Sequence, residues 1–335
     1  MSCNMVGSKT LKNYSTKLTP EGIAPTDDAF HGSPGRFGAE WWYFDAVFNN
    51  GYSLHIGCRT FSRKKWGMVS PFLEFYRNGF LEAKSVDRVF FRDFHTSSSF
   101  PFVQLSDKKI IDFDKERFKD SGKWVYDVSL DFGDNSADLI FVGTTKGWKI
   151  ETLGAESWTV ALPKAKVTGE IVVDGEKMSI SGVGYHDHNW NYGLLTAMNY
   201  GKGWYWGKIM SKSLSVSWAD IIRPNYKDDL LAVVNQDDNG FFAVKPEKIQ
   251  FDTGGFVRIH DRKAPKNFSL RIDDVVNDVP VVVDVEMVAR KIHYNRVLLV
   301  APYWRYHVEA KGFIQLGSHK EEINPVQIME FLRFS

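Results

Sequence analysis

The sequence has little cysteine, no excess of charge of one sign and no long apolar run. Its 335 residues include only two cysteines, Cys3 and Cys58, too few for a disulfide framework. The polar N-terminus has no apolar stretch of the kind a secretory signal needs, so we expect reduced thiols and a cytoplasmic protein. No run approaches the roughly 20 apolar residues of a membrane-spanning helix, which leaves only transient contact with a membrane surface open.

Charge balance and missing motifs narrow the function classes further. The chain has 42 basic and 41 acidic residues, a formal net charge of +1, so it lacks a broad basic surface for nucleic acid. Neither a Gly-x-Gly-x-x-Gly turn nor a phosphate loop is present, and a Gly-x-Ser-x-Gly nucleophile elbow is also missing. We therefore expect no nucleic-acid partner, no serine-hydrolase chemistry and no cofactor.

The abundant residues are aromatic. They make up 15% of the chain, with 11 Trp, 13 Tyr and 25 Phe. Two compatible interpretations follow: aromatic-rich cores of a β-protein, or a ring-lined cavity for an apolar or cationic guest.

Alternation of apolar and polar residues predicts many short strands. Residues 124–132 alternate cleanly, and Asp174-Gly175 separates two alternating runs as a hairpin turn does. Short helical turns are expected only at residues 114–119 and 326–331. We predict an all-β chain of two packed antiparallel barrels. The predicted divisions are an N-terminal arm (1–30), a first domain (31–195) and a second domain (196–335).

One segment concentrates titratable groups at the end of a predicted strand. If the strand persists, His186 and His188 share one face, while Asp187 joins Tyr185 on the other. Histidine can donate or accept a proton near neutral pH, and a desolvated carboxyl can become a proton donor. Asn189 offers an amide for a substrate. An aromatic wall is predicted from three further residues: Trp190, Trp204 and Trp206.

Two other interpretations of this segment stay open. The polar groups could form a buried hydrogen-bond network that joins the two domains. His-x-His could also hold a metal if Glu40, His55 or His307 completed the set, but no second cluster supports this and we expect no metal.

Two further segments place charged residues among aromatic residues. Glu40 begins the run Glu40-Trp41-Trp42-Tyr43 and is either an inward acid or the partner of an arginine. Lys208 is in phase with Trp204 and Trp206, and it could form a buried pair with Asp220 or a solvent-facing one. The alternating run of Tyr303, Arg305, His307 and Glu309 predicts a polar outer face.

Taken in order, these segments resemble the signature of one superfamily. Glu40-Trp41-Trp42-Tyr43, then 185–190, then Trp204-Tyr205-Trp206-Gly207 are similar to the motifs of the carotenoid hydratase (hydroxyneurosporene synthase) and AttH-like proteins, which include fungal Diels–Alderases. The resemblance covers most of the chain from about residue 31. Asn191 and Ala46 stand where the motifs commonly have glycine. The resemblance implies two lipocalin-like barrels, with Asp187 as the candidate acid. The other residues that match the family motifs are His188, Asn189, Trp190, Trp204 and Trp206.

The resemblance implies cofactor-independent chemistry on an apolar small molecule. The leading hypothesis is a hydratase (a hydro-lyase) or cyclase that protonates an isoprenoid or polyene alkene through Asp187. Aromatic faces would stabilise the cation, and a water held by His186 or His188 would capture it. The alternatives are a pericyclase, which folds a polyene by proximity alone, and a non-catalytic carrier of apolar ligands. We expect substrate contacts from Glu40, Trp41, Trp42, Tyr43, Tyr185, Asn189, Trp190, Trp204, Trp206 and Lys208.

Overall fold

A computed structural model of the chain describes residues 19–33, 37–64, 66–151, 156–193, 202–223, 228–260, 262–297 and 301–334. Part of the predicted arm (1–18), Cys3 and the predicted domain boundary at residue 195 lie outside these residues. The described part is mostly strand with very little helix, so the all-β prediction is confirmed.

The first sheet contains fourteen strands, from the N-terminal arm to residue 193. They are β1 Glu21–Gly22, β2 Gly38–Phe48, β3 Tyr52–Arg63, β4 Trp66–Arg77, β5 Phe80–Val86, β6 Val89–Phe90, β7 Phe94–Thr96, β8 Phe102–Leu105, β9 Lys108–Phe113, β10 Val125–Asp131, β11 Ser136–Gly143, β12 Trp148–Glu151, β13 Ser157–Val173 and β14 Glu176–Gly193.

The remaining strands begin at Gly203. Ten of them form the second sheet: β15 Gly203–Met210, β16 Leu214–Ile222, β17 Asp228–Gln236, β18 Phe241–Ala243, β19 Ile249–Gly254, β22 Asn267–Val276, β23 Val279–Val297, β24 Ala301–Leu316, β25 His319–Glu322 and β26 Val326–Arg333. The strands β20 Val257–Ile259 and β21 Arg262–Ala264 pair with each other.

Each large sheet is antiparallel and curls into a half-barrel. The first half-barrel runs in the order β5-β4-β3-β2-β14-β13-β11-β10-β9-β8-β7, and the second in the order β18-β17-β16-β15-β26-β24-β23-β22-β19. Strand β2 therefore lies beside β14, with Tyr43 opposite Asp187 in the register. Two motifs that are far apart in the sequence are thus neighbours in space.

Helix is confined to short pieces among the described residues. The predicted turn at 114–119 is the helix α1, Lys115–Ser121; the Asp114 side chain accepts the Arg117 N–H at its start, and Gly122 ends it with φ 68°. Three 3-10 turns cover Pro25–Asp27, Phe91–Asp93 and Pro246–Lys248. No helix among the described residues has the length and apolarity to cross a membrane.

The helical turn predicted at residues 326–331 is wrong. This segment is β26, which hydrogen-bonds to β15 on one side and to β24 on the other. Pairing on both edges satisfies the backbone polar groups of the segment, so the tertiary environment overrides its weak helical pattern.

Side chains of one strand serve two different cores. On β2, Trp42 and Phe44 point into the first half-barrel, whereas Tyr43 belongs to a cluster that lies between the two sheets. The second half-barrel has its own core, and there Gly207 makes room for the Trp218 indole, which would lie 2.6 Å from an added Cβ. Strands at the interface are thus buried on both faces, and chemistry can be placed on either.

Candidate functional site between the half-barrels

The two histidines face the interior of the first half-barrel, where an N-terminal segment crosses it. We call residues 28–32 the strap. His186 Nε2 lies 3.0 Å from Asp28 Oδ2, and the His186 ring stacks on Phe44 with centroids 3.7 Å apart. Tyr126 donates its hydroxyl to the same Asp28 oxygen at 2.5 Å. Asp28 and His186 are completely buried, so this contact fixes the strap to the strands.

His188 joins the strap to a second carboxylate. Its Nε2 lies 2.9 Å from Glu40 Oε1, and its Nδ1 lies 3.4 Å from Asp28 Oδ1. The Glu40 carboxylate also accepts the backbone N–H groups of His31 and Gly32 at 2.8 and 2.7 Å. Glu40 is therefore an inward acid, and its charged partner is a histidine instead of an arginine.

The charges in this network stabilise each other. Burial alone would lower the pKa of His188, but the hydrogen bonds and charges of Asp28 and Glu40 outweigh it and raise the pKa to about 9. Burial would raise the pKa of Asp28, yet His186 and His188 hold it well below its usual range. The histidine face is thus a buried ion network that holds structure together.

The elevated pKa of His188 predicts a loss of stability at alkaline pH. The folded state binds this proton more tightly than the unfolded chain, whose histidine pKa is about 6.5, so its stabilisation is complete below pH 6.5. It should disappear as pH rises through 9, by at most about 3 kcal/mol. Urea unfolding at pH 6.5 and 9.5 measures the difference. His188→Gln should be less stable overall and should lose much less over this window; an equal loss in both proteins would contradict the assignment.

Three residues of this network are close enough to be metal ligands. Ligand atoms of His31, Glu40 and His188 lie within 4.8 Å of one another, the one such group among the described residues. Glu40 and His188 are in direct hydrogen-bond contact at 2.9 Å, so a metal ion bound there would replace the proton between them. His55 contacts Glu74 and His307 contacts Ser53, so neither completes a set with the motif histidines.

Asp187 points the other way, into the space between the half-barrels. Its Oδ2 accepts the Trp158 indole N–H at 2.9 Å and the Tyr185 hydroxyl at 2.8 Å. Its Oδ1 accepts the Asn189 amide at 3.0 Å. All three donors are uncharged, and the side chain sits on the face that the alternation predicted. The histidines, being on the opposite face, do not contact this carboxyl.

Burial dominates the acidity of Asp187. It raises the pKa of this carboxyl from 3.8 to about 7, even though Tyr185 and Trp158 lower it through hydrogen bonds. The negative charges of Glu330 and Asp45 add to the increase. A carboxyl with a pKa of about 7 holds its proton through much of the neutral range, as a general acid requires.

The space in front of Asp187 is a cavity of about 90 Å³, which we call the interface cavity. Its buried lining places Asp187 and Asn189 among apolar and aromatic side chains, and the half-buried rings of Trp41, Tyr192 and Trp204 form its rim. The lining residues are Trp41, Tyr43, Ile150, Trp158, Asp187, Asn189, Tyr192, Trp204, Trp206, Ala219, Ile221 and Glu330.

The predicted site residues thus divide into two groups. Around the interface cavity lie Trp41, Tyr43, Tyr185, Asp187, Asn189, Trp204 and Trp206, with Lys208 behind the Tyr185 ring at 5.3 Å. On the strap side lie Glu40, Trp42, His186, His188 and Trp190, whose ring stacks on His31. The two histidines therefore cannot hold a water that reacts in the cavity, and other groups must do so.

A buried ion network joins the half-barrels beside the cavity. Lys208 pairs with Asp45 of the first half-barrel, so its partner is neither Asp220 nor solvent. Arg305 lies 3.5 Å from the same carboxylate and donates Nη1–H groups to the Tyr43 hydroxyl and to Glu330 Oε1, each at 2.6 Å. Two cations thus meet two carboxylates in a region from which water is largely excluded.

Two functional features escaped the sequence analysis. Alternation predicts a polar outer face for the strand with Arg305 and His307, but both residues are buried and contact Asp45 and Ser53 of the first half-barrel. Glu330 was missed because its segment had the pattern of a helical turn. The signal that could have found it is the alternation of Gln327, Met329 and Phe331 with Ile328, Glu330 and Leu332, which is compatible with a strand.

The departure from glycine at the end of the second motif has a structural basis. Asn191 adopts φ 65°, the left-handed conformation that glycine and asparagine tolerate best. The register between β14 and β2 shifts between Asn189 and Tyr192 at this point. The motif therefore ends in a bulge that brings Tyr192 to the rim of the cavity.

Fold and site together define a protein of two half-barrels with a buried acid between them. Similar architectures occur in an AttH protein from Nitrosomonas europaea (TM-score 0.64, 13% identity, covering 93% of this chain and 96% of that one). Kievitone hydratase from Nectria haematococca is also similar, with a TM-score of 0.53, 12% identity and coverage of 95% and 98%. The chain thus has the fold of the superfamily that its motifs resemble, as predicted.

Sequence comparison gives a partial match. The quinolone epoxide rearrangement protein penF from Penicillium thymicola is 29% identical over 118 residues. The match spans 33% of this chain and 32% of penF, about a third of each. No family model matches the chain.

Proposed function

We propose that the chain is a cofactor-independent acid catalyst, a hydratase or cyclase that acts on an apolar isoprenoid or polyene. The observation that carries the proposal is Asp187, a carboxyl that is 5% exposed, has a pKa of about 7 and faces a ring-lined cavity. In its neutral form Asp187 donates a proton to an alkene carbon, and the positive charge develops on the neighbouring carbon.

The walls of the cavity suit such a cation. Tyr43, Trp158 and Trp206 surround the space, and each ring face contributes about 0.5–2 kcal/mol to the stabilisation of a cation. The basic residues nearby, Lys208 and Arg305, are each paired with a carboxylate, so they oppose the cation only weakly. Water or an internal alkene then captures the charge, which gives an alcohol or a ring.

The small volume of the cavity also limits how much of a substrate can enter it. About 90 Å³ is smaller than the 300–1,000 Å³ typical of sites that enclose a drug-sized ligand. We infer that only the reactive end of the substrate reaches Asp187, while its apolar remainder lies on the rim formed by Trp41, Tyr192 and Trp204. Such a substrate carries its alkene at or near a chain end.

The names of similar proteins support acid chemistry of this kind. One solved neighbour is a hydratase of kievitone, and the partially matching protein rearranges a quinolone epoxide. An acid can begin both kinds of reaction, by protonating a carbon of the alkene or the oxygen of the epoxide. Either reaction uses the same acid in the same cavity.

Turnover in deuterium oxide tests the proposal. Kievitone, a quinolone epoxide and an acyclic polyene with a terminal alkene are incubated with the protein in H₂O and in D₂O, and the products are analysed by mass spectrometry and NMR. We expect an alkene substrate to gain a water, or to isomerise, with one deuterium fixed on carbon. An epoxide is protonated on oxygen, so its opening should fix no deuterium on carbon and should instead slow down as pH rises. A product without deuterium and a rate independent of pH would favour the pericyclase, and binding without conversion of any compound would favour the carrier.

A further inference from the structure

Glu330 is the second carboxyl of the interface cavity, and it comes from the other half-barrel. It lies on β26, opposite Trp206 and Arg305 in the strand register, and its side chain is 12% exposed. Asp187 lies on β14 of the first half-barrel and lines the same cavity. The two carboxyl groups therefore belong to opposite walls of one small space.

Glu330 pairs with a buried cation. Its Oε1 accepts an N–H of Arg305 at 2.6 Å and the hydroxyl of Tyr43 at 3.0 Å. Arg305 is completely buried, so its guanidinium charge needs carboxylate partners in a region without water, and Glu330 is one of them. A carboxylate has about four acceptor positions, so the contacts with Arg305, Tyr43 and the neighbouring Tyr303 hydroxyl still leave capacity for a water in the cavity.

The two carboxyl groups thus have opposite surroundings. Asp187 receives only uncharged donors, and burial favours its neutral form. Glu330 contacts a cation at hydrogen-bond distance. When the environments of two neighbouring carboxyl groups favour different protonation states, one can act as an acid while the other acts as a base.

We propose that Glu330 is the base of the reaction and faces the cation that Asp187 creates. This inference rests on the function proposed above. The O–H proton of Asp187 moves to one alkene carbon as the π electrons form the new C–H bond. The lone pair of a water then bonds to the cationic carbon, and Glu330 takes the proton that this water loses. Transfer of that proton through solvent back to Asp187 restores both groups.

A stable cation can probe this arrangement without a known substrate. Choline carries a trimethylammonium group that imitates a tertiary cation, and 3,3-dimethylbutan-1-ol is its uncharged carbon isostere. Binding of both compounds at pH 6 is measured by ligand-observed NMR. We expect choline to bind the native protein about tenfold more tightly than the isostere, because an ionised carboxylate and aromatic faces surround the cation.

Substitution of Glu330 separates charge from shape. Glu330→Gln keeps an oxygen for Arg305 and should reduce choline affinity about tenfold while leaving the isostere unchanged. Glu330→Asp, which keeps the charge, should retain part of the preference, and thermal unfolding checks that both variants fold. Glu309→Gln is the matched control, because Glu309 pairs with Arg290 outside the set of residues that line the cavity.

Two results would overturn the assignment of Glu330. One is a native protein that does not prefer choline; the other is an equal loss of both compounds in Glu330→Gln, which a purely structural residue would give. For a compound that is turned over, Glu330→Gln should lower kcat by about 10²-fold or more with little change in KM. A protein that binds choline through Glu330 but fixes no deuterium in any product would contradict the proposed function alone.

Discussion

Asp187→Asn should lower turnover by about 10²–10⁴-fold, the usual contribution of a general acid. The amide has nearly the shape of the carboxyl, and its oxygen can still accept the Trp158 and Tyr185 donors. The Asn189 side chain can rotate to present its oxygen to the new amide. The variant should therefore bind substrate normally and fail in the chemical step. Full turnover on a compound that the native protein converts would exclude Asp187 as the acid.

The same substitution should stabilise the fold at alkaline pH. Because burial raises the pKa of Asp187 to about 7, the folded state binds this proton more tightly than the unfolded chain does. Stability is consequently lost as pH rises from about 4 to 7, by at most about 4 kcal/mol, and asparagine removes this penalty. At pH 8, urea unfolding should give a higher free energy for Asp187→Asn than for the native protein, and the gap should close near pH 4.

A matched control separates this effect from a general gain on removing negative charge. Asp138 is exposed on β11, on a strand that does not line the cavity. Asp138→Asn should leave both turnover and the pH dependence of stability unchanged. An Asp187→Asn protein that is less stable than the native one at pH 8 would mean that the carboxyl is ionised and well paired in the folded state.

Asp28→Ala should cause the largest loss of stability, about 3–5 kcal/mol at pH 7. The substitution removes the carboxylate that contacts His186 at 3.0 Å, His188 at 3.4 Å and the Tyr126 hydroxyl at 2.5 Å. Three buried polar groups then lose a partner at once, and none of them can reach water in the fold. Urea unfolding at pH 7 measures the change in the free energy of unfolding.

Asp27 provides the control for the strap, one residue earlier in the chain. It pairs with Lys149 at 3.0 Å, but both side chains are partly exposed, so Asp27→Ala should cost less than about 1 kcal/mol. If the two substitutions had similar effects, the buried network would not hold the strap as we describe. Since the strap network includes the strands β2 and β14, its loss should also disturb the position of Asp187.

Much of the fold could be predicted from local patterns. Period-two alternation at residues 124–132 and the Asp174-Gly175 turn correspond to β10 and to the β13–β14 hairpin. These signals are local, because each strand needs only its own alternation and its own turn. The segment 326–331 lacked such support, and only its pairing with β15 and β24 determines its structure.

Only part of the candidate site could be predicted from the sequence. Alternation predicts that Asp187 and the two histidines point in opposite directions, but it cannot say what either face meets. The strap residue Asp28 and the second-half residues Arg305 and Glu330 all lie more than 100 positions from Asp187 in the chain. Both faces of the interface strands are buried, so a row of polar residues in their sequence does not mean that this face of the strand is exposed to solvent.

The most direct test of the account is the pKa of Asp187 itself. A titration of protein with carbon-13-labelled aspartate side chains, followed by NMR and assigned by comparison with Asp187→Asn, measures it without any substrate. We predict one carboxyl signal that titrates with a pKa of about 7 and is absent from the variant. A signal for Asp187 that titrates near the ordinary value of 3.8 would contradict the account, because a carboxyl ionised at neutral pH cannot protonate an alkene.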